Sequence, residues 1–367
     1  MKHSVVGMDI AKRVFQLHCV AADTGEIERI KLRRDEVLPF FAQRTSSLVA
    51  MEACGSSHWW ARQLRALGHE VRLLAPKSVR PFVRSNKTDA ADARAIWTAV
   101  QQPEARLVGV KSEQQQAILA LHRVRAQLMK FRIMQTNALR GLLYEFGEVL
   151  PEGSVALAKA LPLALAAVSQ RVPRMLIDTL HEQWARVQSI NAEIATIERR
   201  LASALRESEA CRQIAAIPGV GLLTATAAVA AIGEANSFAS GREFAAWLGL
   251  VPRQTGTGGR VRQLGLSKRG DRYLRTLLMH GARAVIARGK HSPWVAGLLK
   301  RRPYSVAVAA LANKLARTIW ALLAKSRAFD QPCSTSAHKH RVGAGANETF
   351  PKERKRSGRD GTQVGPG

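Results

Sequence analysis

The chain has 367 residues, 46% of them hydrophobic, enough for two or three domains with a sizeable core. Lys and Arg number 56 against 28 Asp and Glu, a net charge of +28, and a field of that size favours a polyanion, most simply nucleic acid. Cys19, Cys54, Cys211 and Cys333 are scattered without a CxxC pair, which argues against a zinc site or disulfide framework and predicts buried reduced thiols.

No stretch approaches about 18 continuous apolar residues and no leader pattern opens the chain, so a cytoplasmic, nucleoid-associated protein with no membrane partner is expected. Residues 4–10 (SVVGMDI) form a short apolar run with Asp9 near its end. VFQLHCV (14–20) and EIERIKL (26–32) flank the turn Asp23-Thr24-Gly25, the pattern of a hairpin. Residues 35–43 and 57–67 read as helices, SLVAMEA (47–53) and EVRLLAP (70–76) as strands, with Glu52 near the end of the first. The segment 88–101 reads as a helix with Thr88 as its N-cap. This order describes an α/β domain ending near residue 110.

The texture then changes. Residues 112–147 contain no proline, and Leu119, Val124, Leu128 and Phe131 recur at helical spacing. In 175–207, Leu176, Leu180, Trp184, Val187, Ile190, Ile194, Ile197 and Leu201 follow a heptad seam. Two long helices joined through the Ala/Leu/Pro-rich stretch 150–173 predict a helical arm over 111–210. The seam's partner is either a second chain or the helix 112–147 of the same chain. Residues 211–329 read as a compact, helical, basic region, and 330–367, with its KERKR cluster, as a disordered basic tail. The expected fold class is α/β plus mainly α.

NKTDAADARAI (86–96) places Asp89 and Asp92 three apart, on one face of a helix. Asp9 and Glu52 close two apolar strands, where an acid is costly unless it is paired or coordinates a cation. Were the strands neighbours, the helix would bring Asp89 and Asp92 over Asp9 and Glu52. Such a set of oxygens suits Mg²⁺, and two such ions promote phosphodiester displacement. Each acid alone has a structural reading: a turn cap, an arginine pair, or a favourable charge at a helix N-terminus.

GMDIAK (7–12), MEACGSSHWWARQL (51–64), NKTDAADARAI (86–96), IPGVGLLTATAAVAAIG (217–233) and residues 237–285 together resemble the DEDD transposases of the IS110 insertion-sequence family, in its IS1111 subgroup. The resemblance implies an RNase H-like (RuvC-like) domain over 1–110, a coiled-coil arm over 111–210 and a transposase domain over 211–329. It places the family's metal-binding tetrad on Asp9, Glu52, Asp89 and Asp92, with Mg²⁺ as the metal. It implies guidance by a structured bridge RNA. The family's serine nucleophile aligns with Thr257 in GLVPRQTGTGG (249–259). Either Thr257 serves, or the nearby Ser267 does, or this copy is impaired. The expected step is attack of a hydroxyl on the scissile phosphate to give a covalent protein–DNA link.

IPGVGLLTA (217–225) resembles the turn of helix-hairpin-helix DNA binders, with backbone N–H groups able to cradle a phosphate. Arg253, Arg260, Arg262, Lys268, Arg269, Arg272 and Arg275 crowd into a short span and predict phosphate contacts. Arg123, Arg125, Lys130, Arg132 and Arg140 on the first long helix are candidates to hold RNA. Ser267 is expected to cap a helix. Donor and target DNA, a guide RNA and a second or further copy of the chain (dimer or tetramer) are the expected partners. The rival readings are a Holliday-junction-type endonuclease using water and the same carboxylates, and a non-catalytic nucleic-acid-binding protein.

Overall fold

The structure is a computed structural model that describes residues 4–83, 88–289 and 291–325. The expected tail, Cys333, Asn86 and Lys87 lie outside the described residues.

The N-terminal region is built on one sheet. β1 (Val5–Asp9) pairs antiparallel with β2 (Val14–Val20), and β2 with β3 (Ile27–Arg33). The helix α1 (Val37–Ala42) leads into β4 (Leu48–Glu52), which lies parallel to β1. The helix α2 (Ser57–Ala66) then leads into β5 (Glu70–Leu74), parallel to β4. After the short α3 (Pro76–Val79) and α4 (Asp89–Val100), the two-residue β6 (Leu107–Val108) closes the edge, giving the order β3-β2-β1-β4-β5-β6.

The central strands β1 and β4 are buried through their middle three residues, which is why they read as apolar runs rather than alternating ones. Period two still sorts their side chains. Val49 and Met51 join Met8 and Trp60 of α2 in one core, while Leu48 and Ala50 join Ile96 and Ala99 of α4 in another. On that second face a Cβ at Gly7 would stand 2.3 Å from the Ala93 carbonyl oxygen and 2.7 Å from Trp97 Cβ. The bare glycine lets α4 lie directly on β1.

The helix α5 (Glu113–Glu145, 33 residues) opens with a capping box between Ser112 and Gln115. It returns through α6 (Ser154–Val168) to α7 (Arg174–Glu207, 34 residues). Leu128 meets Ile194, Ile197 and Leu201, and Leu139 and Leu143 meet Leu180 and Val187, so α5 and α7 run antiparallel. At 1.5 Å per residue each is about 50 Å long. The heptad seam of α7 is therefore covered by α5 and α6 of the same chain, and it does not call for a second copy. Helix α6 occupies the stretch expected to be a joining segment. Its Pro162 lies on the exposed side, where the missing N–H costs least.

Beyond the arm, α8 (Glu209–Ala215), α9 (Leu222–Ile232) and α10 (Gly241–Trp247) precede a hairpin of β7 (Pro252–Thr257) and β8 (Arg260–Leu266). The helices α11 (Arg272–Ala287), α12 (Pro293–Arg301) and α13 (Tyr304–Lys325) complete the region. The region is mostly helical, as expected, with the β7–β8 hairpin inserted between α10 and α11. α13 is long and apolar enough to cross a membrane by length and composition, yet its face Ala312, Leu315, Ala316 and Ile319 packs with Phe244 and Leu278. Ser267 caps no helix, because α11 starts later and Asp271 caps it. Cys19 and Cys211 are buried as expected, whereas Cys54 is exposed.

Two outcomes are expected. Leu180→Ala should cost about 3 kcal/mol, with the oligomeric state by light scattering unchanged from wild type, as a seam buried within one chain requires. Gly7→Ala should lower the thermal midpoint by several degrees, about 1–3 kcal/mol of overpacking. Gly55→Ala, where the added carbon meets nothing within 4 Å, should be near neutral in the same calorimetric scan.

Candidate active site

Asp9 and Glu52 leave the sheet from adjacent parallel strands, one residue beyond the Met8–Met51 pair. Helix α4 begins at Asp89, held by Thr88, whose hydroxyl accepts the Ala91 N–H at 3.3 Å. Asp89 and Asp92 therefore occupy the first turn, where the helix dipole favours negative charge. Because α4 lies on Gly7, that turn stands over the end of β1. One carboxylate oxygen each from Asp9, Asp89 and Asp92 lies within 4.8 Å of the others.

Glu52 stands outside this trio but acts on it electrostatically. The Asp9 carboxyl is pushed up to about 6, by burial first and then by Asp92, Asp89 and Glu52. Burial, Glu52 and Asp9 likewise raise the Cys54 thiol. Among the described residues no Lys or Arg forms an ion pair with Asp9, Asp89 or Asp92. Three converging carboxylates with no cationic partner among the described residues form an all-oxygen donor set, which fits a hard divalent cation. The strand ends and the i, i+3 spacing made the acids visible in sequence. Gly7 was overlooked, although a glycine inside a strand marks a close backbone approach.

Thr257 is the last residue of β7, exposed, and pairs with Arg260 across the hairpin. The two residues between them, Gly258 and Gly259, have φ of 57° and 77°, as a tight turn with two left-handed positions requires. Cross-strand partners share a face, so Thr257 and Arg260 stand beside Thr255 and Arg262. The hydroxyl thus has guanidinium neighbours on a surface that is exposed among the described residues. No hydrogen bond among the described residues joins Thr257 to the acids.

The other basic candidates separate by what they touch. Arg253, Lys268, Arg269 and Arg272 are exposed. Arg275 turns inward, donating to the carbonyls of Leu248 (2.8 Å) and Arg269 (2.9 Å), and braces the hairpin's exit. On α5, Arg125 pairs with Glu198 at 2.7 Å, Arg132 donates to Asn191 and Arg140 to Asn137 and the Pro151 carbonyl. These three are occupied within the arm. The turn before α9 packs on α11, where Gly219 and Gly281 meet backbone to backbone.

A family model described as transposase, of the IS110 DEDD type, matches residues 6–147, and one described as transposase IS116/IS110/IS902 family matches residues 211–296. The chain is 45% identical over 335 residues to a Pseudomonas aeruginosa protein named "Probable family 20 transposase", covering 90% of this chain and 99% of that one. It is 37% identical over 333 residues to the transposase for insertion sequence element IS1328 of Yersinia enterocolitica, covering 89% and 99%. It is 37% identical over 331 residues to the transposase for insertion sequence element IS1111A of Coxiella burnetii, covering 89% and 91%. Matches on both halves, and full-length similarity to proteins with this one name, make the chain a member of the IS116/IS110/IS902 transposase family.

Proposed function

We propose that this transposase cuts and rejoins DNA with a carboxylate centre on an RNase H-like (RuvC-like) domain and the Thr257 hydroxyl on its C-terminal domain. The observation that carries the reading is the convergence of Asp9, Asp89 and Asp92 at the end of β1. The sheet order, with β4 and β5 parallel to β1 and β2 antiparallel to it, supports the RNase H-like assignment.

Asp9, Asp89 and Asp92, with Glu52 beside them, would hold Mg²⁺. Bound there, it supplies positive charge next to the reacting phosphate oxygens. Thr257 Oγ1 gives up its proton to solvent and forms a bond to phosphorus. The bond from phosphorus to the 3′ oxygen breaks, and that oxygen takes up a proton. Arg260 and Arg262 orient the phosphate on the hydroxyl's face of the hairpin. Attack on the adduct by another strand's 3′ hydroxyl returns Thr257 and makes a new phosphodiester, so no external energy source is needed.

The basic surface holds donor and target DNA and a structured guide RNA. The reaction takes place in the cytoplasm, at the nucleoid. Assembly into a dimer or tetramer uses the outward face of α5. There Val124, Phe131, Met134 and Leu142 are exposed within an arc of about 100° at helical spacing, an apolar stripe of the kind a partner covers.

Asp9→Asn separates the roles of charge and fold. Ionised Asp9 has a raised pKa, so its cost to stability is absent below about pH 4 and fully present above about pH 6. Without metal at pH 8, the variant should therefore melt above wild type, with the difference shrinking on acidification. Millimolar Mg²⁺ should raise the wild-type midpoint and leave the variant's nearly unchanged. Cleavage should vanish while DNA binding persists; full cleavage by Asp9→Asn would exclude the carboxylate centre.

Thr257→Ala should abolish the covalent adduct on a denaturing gel with labelled DNA and leave affinity within about twofold. Thr257→Ser should keep the adduct or increase it. An adduct that survives Thr257→Ala and disappears with Ser267→Ala moves the nucleophile to Ser267. Cut ends without an adduct support a water-using endonuclease instead, and binding without cutting supports a non-catalytic role.

A further inference from the structure

Of the basic residues on α5, Arg123 and Lys130 alone have no hydrogen-bond or ion-pair partner among the described residues. Both border a cavity of about 580 Å³ between α5 and the start of α11. A third cation, Lys111, lies at its wall, against one carboxylate, Asp271. Asp271 is already committed, since its Oδ1 accepts the Leu274 N–H at 2.9 Å as the cap of α11. Among the described residues the lining carries three cations, Lys111, Arg123 and Lys130, against the single carboxylate of Asp271.

Lys111 is held in place. Its backbone N–H donates to His58 Nδ1 at 3.2 Å, and its carbonyl accepts from Arg62 at 2.7 Å. Its ammonium stands 3.4 Å from His58 Nε2. Because Nδ1 accepts a hydrogen bond, the neutral His58 ring carries its proton on Nε2. The ring is neutral near pH 7, since burial and then Lys111, Arg62 and Arg123 hold it down at about 4. The Nε2–H therefore faces the ammonium donor to donor and cannot satisfy it. Burial, which Asp271 opposes and Arg123 reinforces, holds the Lys111 pKa below its ordinary value. An anion in the cavity would remove both penalties.

Part of the cavity wall is aromatic. Trp247 borders the cavity, and its ring is fixed by stacking on Phe244 with centroids 5.8 Å apart and an interplanar angle of 18°. Gln127 adds an amide able to meet a base edge. Cations and a fixed aromatic plate, in a volume ordinary for a small ligand, match one unpaired nucleotide and exclude a duplex. The geometry points to a seat for a single unpaired nucleotide of a nucleic acid strand, its phosphate on Lys111 and Arg123 and its base against Trp247. The seat deepens the proposed action on nucleic acid and rests on it. Its walls come from the segment after β6, α5, α9, α10 and α11, so an occupant ties the base of the arm to the C-terminal region.

The test uses the full chain with two probes, 12-residue oligomers of 5-bromouridine and of 5-bromodeoxyuridine. Binding is measured against salt, and the irradiated complexes are mapped by mass spectrometry. For wild type, one oligomer or both should crosslink to Trp247, and the arm that does so identifies RNA or DNA as the source. Lys111→Gln combined with Arg123→Gln should reduce the slope of log affinity against log salt by about 0.7, the contribution of the one phosphate they share. Lys111→Arg with Arg123 intact should retain most of the slope. Circular dichroism melts show that the variants are folded. Strong wild-type binding with an unchanged slope in the double variant and crosslinks only elsewhere would overturn the seat while leaving the nucleic-acid reading standing. Failure of wild type to bind either oligomer overturns both.

Discussion

The catalytic reading depends on one packing constraint, the close approach of α4 to β1. Carboxylates repel one another, and neither strand ends nor helix turns bring them together unaided. Here Gly7 leaves room for the Ala93 carbonyl and Trp97, and that contact carries the first turn of α4 to the end of β1. Apolar burial behind it supplies the force. Ile96 and Ala99 of α4 pack on Ala50 and Leu74, while Met8, Met51 and Trp60 fill the opposite face of the sheet. The raised pKa of Asp9 reflects burial first and then the negative charges of Asp92, Asp89 and Glu52, which the fold holds close to it. Such stored repulsion is a mark of a site organised for a ligand of opposite charge.

Most of the N-terminal region was legible in the residues, because its signals are local. β1 and β4 are short apolar runs with an acid at the end, Thr88 is an oxygen-bearing residue at a helix start, and Asp89 and Asp92 share a face by spacing alone. What escaped reading depends on three-dimensional neighbours. The α7 pattern says that a face is buried, not what buries it, and α5 of the same chain does so. Charge density predicts contact with phosphate, but Arg125 and Arg275 spend their guanidiniums on Glu198 and on backbone carbonyls. The β7–β8 hairpin is exposed on both faces through Gly265, so it lacks the alternation by which a half-buried strand is recognised. Its signal was the turn, a Gly-Gly pair flanked by Thr257 and Arg260.

That hairpin has a physical consequence. A two-stranded ribbon with no face packed is marginal in water, and Val261 lies 67% exposed on it. Its stability comes from its roots. Gly249 and Gly270 accept backbone approaches that a side chain would block, and Arg275 ties the carbonyls of Leu248 and Arg269 across the base. The ribbon is thus anchored at one end and free along its length. This arrangement suits a group that must reach a partner outside its own domain.

The acids and the hydroxyl occupy different regions, with the arm between them in sequence. In the proposed reaction, a hydroxyl whose acids are elsewhere does little until a bound strand brings the two together. On that proposal, reaction is conditional on assembly, in a protein whose net charge of +28 attracts any polyanion. Non-specific attraction acts on every duplex alike, so it cannot supply the condition. A nucleotide seated among Lys111, Arg123 and Trp247 could, because unpaired bases are rare in intact duplex and abundant in a structured RNA or a melted junction. In that arrangement the basic surface determines how often DNA is met, the junction cavity reports that the right complex has formed, and the carboxylates and hydroxyl act only afterwards.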